Sequence, residues 1–193
     1  AAVGPAGGAV MLEPITGEGG VCCPSPEYLK QVRALCDEAG LLLIFDEIQT
    51  GMGRTGTLFA YEQAGVTPDI MTLAKALANG LPMGAMLARE AVAAAFGPGA
   101  HASTFGGTPV VSAAALETCR VMEGEGIFDH CRSVSDHFRR RLEWLQGRHA
   151  VIAEVRGRGL LLGLRLNSDG EPIVHRCLER GFLINCVQGK VLR

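Results

Sequence analysis

Short apolar runs alternate with segments of helical periodicity along the first half of the chain. Residues 8–13, 41–45, 69–74 and 83–88 are apolar runs of strand length, and they are separated by polar or glycine-rich segments. Continuous apolar strands without polar alternation are typical of a parallel sheet that is covered on both faces. The pattern therefore predicts an α/β unit built on a parallel-rich sheet.

Helix start and stop signals lie between these runs. Pro26–Ala39 has apolar residues at helical spacing, Ser25 is a predicted N-cap, and Gly40 is a predicted stop. The glycine-rich segment 51–56 is predicted to be a loop. A short helix is predicted at 89–96, and a longer one, opened by Pro109, runs to residue 122.

The pattern changes from about residue 125. A long charged helix is predicted at 125–146, followed by strands at 151–155 and 160–166, a helix at 172–180 and a strand at 183–187. These last segments form a β-β-α-β run, which is typical of a small α+β domain.

We therefore expect two units. Residues 1–124 are interpreted as the C-terminal part of a large α/β domain, and residues 125–193 as the start of a small α+β domain. The chain begins with Ala and stops directly after a predicted strand. It is expected to be an internal piece of a longer protein and to be inactive by itself.

Composition excludes several function classes. The 193 residues are 48% hydrophobic and 20% charged with a net charge of −2, so bulk charge does not indicate a nucleic-acid or membrane partner. Seven scattered cysteines lack metal-ligand spacing and indicate free thiols in a reducing compartment, with no metal site. No signal sequence or membrane span is visible, and a cytoplasmic location is expected.

Two of the predicted strands end in groups that carry chemistry. The run 41–45 is followed by Asp46, and the run 69–74 is followed by Lys75. Ligands of open α/β sheets bind beyond the carboxyl ends of the strands. A lysine and a carboxylate at that edge suit a pyridoxal phosphate site, although by themselves they are more often a surface lysine and a solvated carboxylate.

Four sequence blocks make a pyridoxal phosphate site the stronger interpretation of Asp46 and Lys75. Residues 13–20, 45–56, 72–77 and 103–107 together resemble the class III aminotransferases of the fold type I pyridoxal-phosphate superfamily, in order and in spacing. The resemblance extends through the segment 155–163 to the end of the chain. It implies that the protein is a pyridoxal 5′-phosphate enzyme of that fold.

The resemblance also implies roles for the cofactor-binding residues. Lys75 matches the lysine that forms the Schiff base, and Asp46 matches the partner of the pyridine nitrogen. Gln49 is similar to the glutamine at the pyridoxal hydroxyl, and the intervening Glu47 and Ile48 are expected to contact the cofactor.

Further residues are implied to bind substrate or to serve a second subunit. Arg193 matches the arginine that binds the substrate α-carboxylate, and Glu18 matches the glutamate that pairs with that arginine when an ω-amine is bound. Ser103 is expected to line the substrate pocket. Thr104 resembles the threonine that reaches the phosphate of the neighbouring subunit's cofactor, so a homodimer with shared sites is expected.

Within the family, the resemblance is strongest to enzymes that move an amino group from N-acetylornithine to 2-oxoglutarate in arginine biosynthesis. The alternatives are transaminases acting on ornithine, 4-aminobutyrate or succinyl-diaminopimelate, an isomerase of the glutamate-1-semialdehyde aminomutase type, and a non-catalytic binding module. The family's phosphate-cradling loop, ring-stacking aromatic residue and second substrate arginine are not found in the 193 residues.

Overall fold

The structure, a computed structural model, describes residues 8–193 and contains two four-stranded sheets. In the first sheet the strands follow the order of the sequence. They are β1 (Ala9–Leu12), β2 (Leu42–Asp46), β3 (Ile70–Leu73) and β4 (Ala85–Ala88). β1, β2 and β3 are parallel, as predicted, and β4 is antiparallel to β3.

The reversal at β4 follows from a short connection. Residues 74–84 contain a 3-10 turn, Lys75–Ala78, in place of a crossover helix. A parallel return needs a crossover of a dozen or more residues, usually helical. The chain therefore turns back beside β3, and the sheet is mixed at this edge.

Helix α1 (Pro26–Ala39) has the predicted bounds and caps. The Ser25 hydroxyl accepts a hydrogen bond from the Tyr28 N–H at 3.2 Å, and Gly40 ends the helix in the left-handed conformation with a φ of +64°. Two short helices, α2 (Tyr61–Ala64) and α3 (Glu90–Ala93), follow later in this half. Of these, α2 was not predicted.

Burial alternates along the central strands. Leu43 and Phe45 of β2 are fully buried and pack in one cluster with Leu29 and Cys36 of α1, whereas Ile44 is half-buried. The same alternation holds along β3. Within residues 8–193, one face of these strands is therefore buried and the other is partly covered.

The second half begins with two long helices and continues into an antiparallel sheet of order β5-β6-β8-β7. Its elements are α4 (Pro109–Gly124), α5 (Ile127–Gln146), β5 (Ile152–Arg158), β6 (Leu161–Leu166), α6 (Glu171–Glu179), β7 (Cys186–Val187) and β8 (Val191–Leu192). Pro109 is the first residue of α4, as predicted.

The predicted strand at 183–187 is shorter than expected and is half of a hairpin. Leu183 is 88% exposed, and pairing begins at Cys186. Gln188 and Gly189 both have positive φ, +52° and +66°, and the Lys190 N–H donates to the Val187 carbonyl at 3.3 Å. Positive φ at both central residues is the signature of a type I′ turn, which matches the twist of the paired strands.

The two sheets meet through one apolar cluster. Val21 is fully buried and contacts residues of the second sheet, in a cluster formed by Ile15, Val21, Leu161, Val187 and Val191. The boundary predicted between residues 124 and 125 coincides with the end of α4 and stays a prediction. Within residues 8–193, no helix combines the length and the apolar character needed to cross a bilayer.

Candidate active site

Asp46 closes β2 and is held at its place by β3. Its Oδ1 atom accepts hydrogen bonds from the Ile48 N–H at 2.9 Å and from the Thr72 hydroxyl at 3.4 Å. Asp46 and Thr72 are register partners across the parallel pair. The carboxylate is half-buried, so it is fixed in direction while it remains open to a ligand at the edge of the sheet.

Lys75 follows the end of the neighbouring strand in an unusual conformation. Its φ is +49°, in the left-handed region that side chains other than glycine seldom adopt. The residue is exposed, and the 3-10 turn begins at it. Such backbone outliers concentrate at functional sites. Asp46 thus lies at the carboxyl end of β2 and Lys75 just beyond that of the adjacent β3, where ligands of α/β sheets bind.

An open cavity of about 650 Å³ lies beside Lys75. It brings together most of the residues predicted to bind cofactor or substrate: its lining includes Glu18, Ile48, Gln49, Lys75 and Arg193. Asp46 is not among the lining residues, although it borders the site through its bond to Ile48.

The guanidinium of Arg193 is the most highly connected group in this cavity. Its Nη2 lies 2.6 Å from the Glu18 carboxylate, and its Nη1 donates to the Gln49 side-chain oxygen at 2.7 Å. The backbone of Arg193 forms two hydrogen bonds with the backbone of Asn185, at 2.9 and 3.1 Å. The hairpin therefore delivers Arg193 into the cavity in a fixed orientation.

The loop backbone at Gly17 lies against the side chain of Gln49. A Cβ atom on Gly17 would lie 2.3 Å from the Gln49 side-chain oxygen, so a larger residue at this position would displace that side chain from Arg193. The Gly17 N–H donates to the Glu13 carboxylate at 2.7 Å, which fixes the start of the loop. Gln49, predicted to bind the pyridoxal hydroxyl, thus has Arg193 as its partner in this structure.

Glu47 has a structural setting that the sequence analysis did not foresee. It is 1% exposed, and its carboxylate accepts hydrogen bonds from the Thr50 hydroxyl and from the N–H groups of Ala60 and Tyr61. Burial raises the pKa of Glu47, and these three donors oppose that effect. The side chain holds the start of α2, and its predicted contact with the cofactor remains a prediction.

Ser103 and Thr104 are not brought to the cavity. Both lie in the exposed loop before α4, and the Ser103 hydroxyl accepts a hydrogen bond from the Gly106 N–H at 2.9 Å. Phe105 in the same loop is 80% exposed. The roles predicted for Ser103 and Thr104 therefore remain predictions.

Two positioning residues escaped the sequence analysis. Thr72 binds Asp46 from the next strand, and Asn185 pairs with Arg193 across the hairpin. For Thr72 a signal existed, because a polar residue interrupts an otherwise apolar run three positions before Lys75. For Asn185 the signal was a single glycine, Gly189, which favours a turn but does not by itself specify a hairpin.

Comparison with known sequences gives a consistent result. The family model described as "Aminotransferase class-III" matches residues 3–193. The chain is 50% identical over 186 residues to the acetylornithine aminotransferase of Caldanaerobacter subterraneus subsp. tengcongensis, covering 96% of this chain and 47% of that protein. The chain thus spans about half the length of the curated relatives it matches.

Solved structures agree. The ornithine aminotransferase of Toxoplasma gondii ME49 matches with a TM-score of 0.91 and 42% identity, over 96% of this chain and 45% of that one. The N-acetylornithine aminotransferase of Stenotrophomonas maltophilia K279a matches with a TM-score of 0.86 and 42% identity, over 96% and 50%. These likenesses confirm the fold type I prediction. Class III aminotransferases are a pyridoxal-phosphate-dependent family.

Proposed function

Since this chain belongs to the class-III aminotransferases, we propose that it carries the lysine-bearing part of the active site of a pyridoxal-phosphate transaminase. We assign it the transfer of the ω-amino group of N-acetylornithine to 2-oxoglutarate, a step of arginine biosynthesis. The observation that carries the proposal is the single cavity that joins Lys75 to the Glu18–Arg193 ion pair.

The residues of this cavity fit pyridoxal phosphate chemically. Lys75 supplies an exposed amine, the neighbouring Asp46 a half-buried carboxylate at the adjacent strand end, and Gln49 an amide in the lining of the cavity. These three residues would hold the cofactor ring. When bound, the cofactor supplies an electron sink for the bond that is broken at the substrate carbon.

Lys75 is assigned the proton transfer. In its neutral form, Nζ removes the proton from the donor carbon that bears the amino group. In the second half-reaction it delivers a proton to the carbon of the keto acid that receives the amino group. Its left-handed backbone and its place two residues after the end of β3 support this role, because Lys75 lines the cavity there.

We assign to Asp46 the role of electrostatic partner to the ring nitrogen of the cofactor. A carboxylate beside a protonated nitrogen favours the charged form. The bonds from Ile48 and Thr72 both fall on Oδ1, and they support a fixed orientation of the carboxylate. We therefore assign Oδ2 to the ring nitrogen.

We assign to the Glu18–Arg193 pair the role of selecting between two kinds of substrate, α-carboxylates and ω-amines. An arginine fork binds a carboxylate with two parallel hydrogen bonds, which suits the α-carboxylate of 2-oxoglutarate. With an ω-amine donor that carboxylate is absent from this end of the pocket, and Glu18 neutralises Arg193 instead. The distance of 2.6 Å between the Glu18 carboxylate and the Arg193 guanidinium supports the state in which Glu18 neutralises Arg193.

We also propose a homodimer with shared sites. The loop that carries Ser103 and Thr104 is exposed, including the large apolar side chain of Phe105. An exposed apolar side chain next to predicted binding residues supports a contact with a second subunit. In that arrangement, Thr104 would serve the partner's cofactor.

The experiment is a substrate comparison on the intact enzyme. We expect 2-oxoglutarate to be converted to glutamate when N-acetylornithine is supplied, with a kcat/KM above that for ornithine. The match to the T. gondii ornithine aminotransferase makes ornithine the second candidate. A higher kcat/KM for ornithine would move the assignment to that substrate. Rearrangement of an amino aldehyde without any keto-acid acceptor would indicate an aminomutase.

A further inference from the structure

The loop that presents Glu18 is held from outside by two side chains of the second sheet. The Gln188 amide donates to the Glu18 backbone carbonyl at 3.0 Å, and Arg156 Nη1 donates to the Gly20 carbonyl at 3.1 Å. We call these two bonds the carbonyl clamp. They fall on the peptide units at and just beyond Glu18, and they leave its carboxylate free to meet Arg193.

The backbone on both sides of the clamp is strained. Gln188 has a φ of +52° at a turn position where glycine or asparagine is strongly preferred. Val21, the residue after Gly20, also has a φ of +52°, which is a genuine outlier for a β-branched residue. Strained backbone persists only where surrounding contacts over-determine it, and it is then a reason to look for function.

Packing fixes the far end of the loop. Val21 is fully buried, and a Cβ atom on Gly163 of β6 would lie 3.0 Å from its side chain. The end of the loop is thus seated on the second sheet, whereas Glu18 itself is 65% exposed. The position of Glu18 is therefore set by hydrogen bonds to the loop backbone, namely the clamp and the bonds within the loop, rather than by burial of its own side chain.

We propose that Gln188 and Arg156 are positioning residues that set the enzyme's preference between ω-amine donors and α-carboxylate substrates, by holding Glu18 against Arg193. The inference rests on the proposed function of the Glu18–Arg193 pair. When the clamp is removed, the loop gains freedom and Glu18 meets Arg193 less often. Arg193 is then more available to α-carboxylates, and the neutralised form that accepts the ω-amine is less populated.

The test uses the intact enzyme with Gln188 replaced in two ways. Gln188→Gly removes the amide and relaxes the left-handed backbone, so that loss of stability does not obscure the result. Gln188→Glu keeps the length of the side chain but replaces the donor with a carboxylate that repels the Glu18 carbonyl. Lys190→Ala, an exposed change in the same turn, is the matched control.

We expect the effect in KM rather than in kcat. In Gln188→Gly the KM for 2-oxoglutarate should fall and that for N-acetylornithine should rise, changing their ratio about threefold, within the range expected for one hydrogen bond. Gln188→Glu should change the ratio at least as much, and Arg156→Lys should change it in the same direction. Lys190→Ala should keep the wild-type ratio.

A second readout separates this inference from the proposed function. Amide hydrogen exchange at residues 16–21 should accelerate in Gln188→Gly and remain unchanged in β5 and β6, because only the loop is released. A wild-type enzyme that does not use N-acetylornithine would overturn the proposed function, and exchange would still test the clamp. The inference would be overturned if amide exchange at residues 16–21 of Gln188→Gly were as slow as in the wild type. It would also be overturned if both Gln188 variants of an active enzyme kept the wild-type ratio of the two KM values.

Discussion

The guanidinium of Arg193 binds the carboxylate of Glu18 at 2.6 Å, and this contact joins the residue after β8 of the second sheet to the loop that follows β1 of the first. The side chain of Glu18 is 65% exposed and that of Arg193 is 21% exposed. Exposed ion pairs contribute about 1 kcal/mol or less, since solvent screens them. The pair is therefore weak enough to open for a substrate carboxylate, as a switch between two substrates requires.

Removal of the charge on Glu18 should change selectivity more than stability. In Glu18→Gln the isosteric amide no longer neutralises Arg193, so α-carboxylate substrates should bind more tightly and N-acetylornithine less well. The expected change in relative kcat/KM is up to about fivefold, which corresponds to about 1 kcal/mol. Steady-state kinetics with both substrates measures it, with Glu38→Gln on the exposed face of α1 as the control. Unchanged relative kcat/KM would exclude a switching role for Glu18.

Replacement of Arg193 tests the carboxylate fork itself. Arg193→Lys keeps the positive charge but loses the planar pair of donors that matches a carboxylate. The KM for 2-oxoglutarate should rise at least tenfold, a loss of about 1.4 kcal/mol, whereas Arg165→Lys at an exposed ion pair should have no effect. A KM for 2-oxoglutarate within twofold of wild type would show that the substrate carboxylate binds elsewhere.

Asp46→Asn should separate chemistry from folding. The substituted amide oxygen can still accept the Ile48 and Thr72 bonds, so the fold should be preserved. The negative charge beside the ring nitrogen is lost, and turnover should fall by several orders of magnitude. Asp136→Asn, an exposed carboxylate on α5, is the control. A rate within about tenfold of wild type, or about 1.4 kcal/mol in the barrier, would rule out this role for Asp46.

The local features of the fold were predictable because they depend on local signals. Ser25 and Gly40 bound α1 through capping chemistry that is visible in the sequence. The hairpin at Gln188 was missed because glutamine at a left-handed position gives no turn signal. The antiparallel direction of β4 was missed because only the apolar run was considered, whereas the short connection at 74–84 indicates it.

The sequence predicted which side chains form the site, but it did not predict all of the contacts between them. Strand ends predicted the placement of Asp46 and Lys75, and the family resemblance alone predicted the pairing of Glu18 with Arg193. The contact between Gln49 and Arg193 is long-range and left no trace in the sequence. The setting of Glu47 could have been anticipated, because successive residues at a strand end point to opposite sides and Asp46 already faces the site.

Asp69 provides a test of stability against pH. Burial raises the pKa of its carboxyl, but the Leu43 N–H at 2.8 Å and the Arg33 guanidinium at 2.7 Å lower it by more, and the net pKa lies below its ordinary value. A carboxyl with a lowered folded-state pKa stabilises the protein above its unfolded pKa of about 3.9. That stabilisation is lost as the pH falls through the lower, folded-state pKa.

Asp69→Asn should therefore lower the free energy of unfolding at pH 7 by about 2 kcal/mol, and the difference from wild type should shrink as the pH falls below about 4. Denaturant unfolding of the intact protein between pH 7 and pH 2 measures both effects. Asp136→Asn should follow the wild-type curve, because Asp136 is exposed. A difference between Asp69→Asn and wild type that stays constant down to pH 2 would contradict the charge-based explanation.

Lys75 is one of three lysines in the 193 residues, and the other two, Lys30 and Lys190, serve as its controls. In the intact enzyme, Lys75→Ala should abolish turnover, because the amine that binds the cofactor and moves the proton is lost. Borohydride reduction should fix pyridoxal phosphate covalently to the wild-type enzyme at Lys75, and to the Lys30→Ala and Lys190→Ala controls at the same position. It should leave Lys75→Ala unlabelled. Peptide mapping identifies the labelled residue, and a covalent label on any other lysine would show that the amine of this site lies elsewhere.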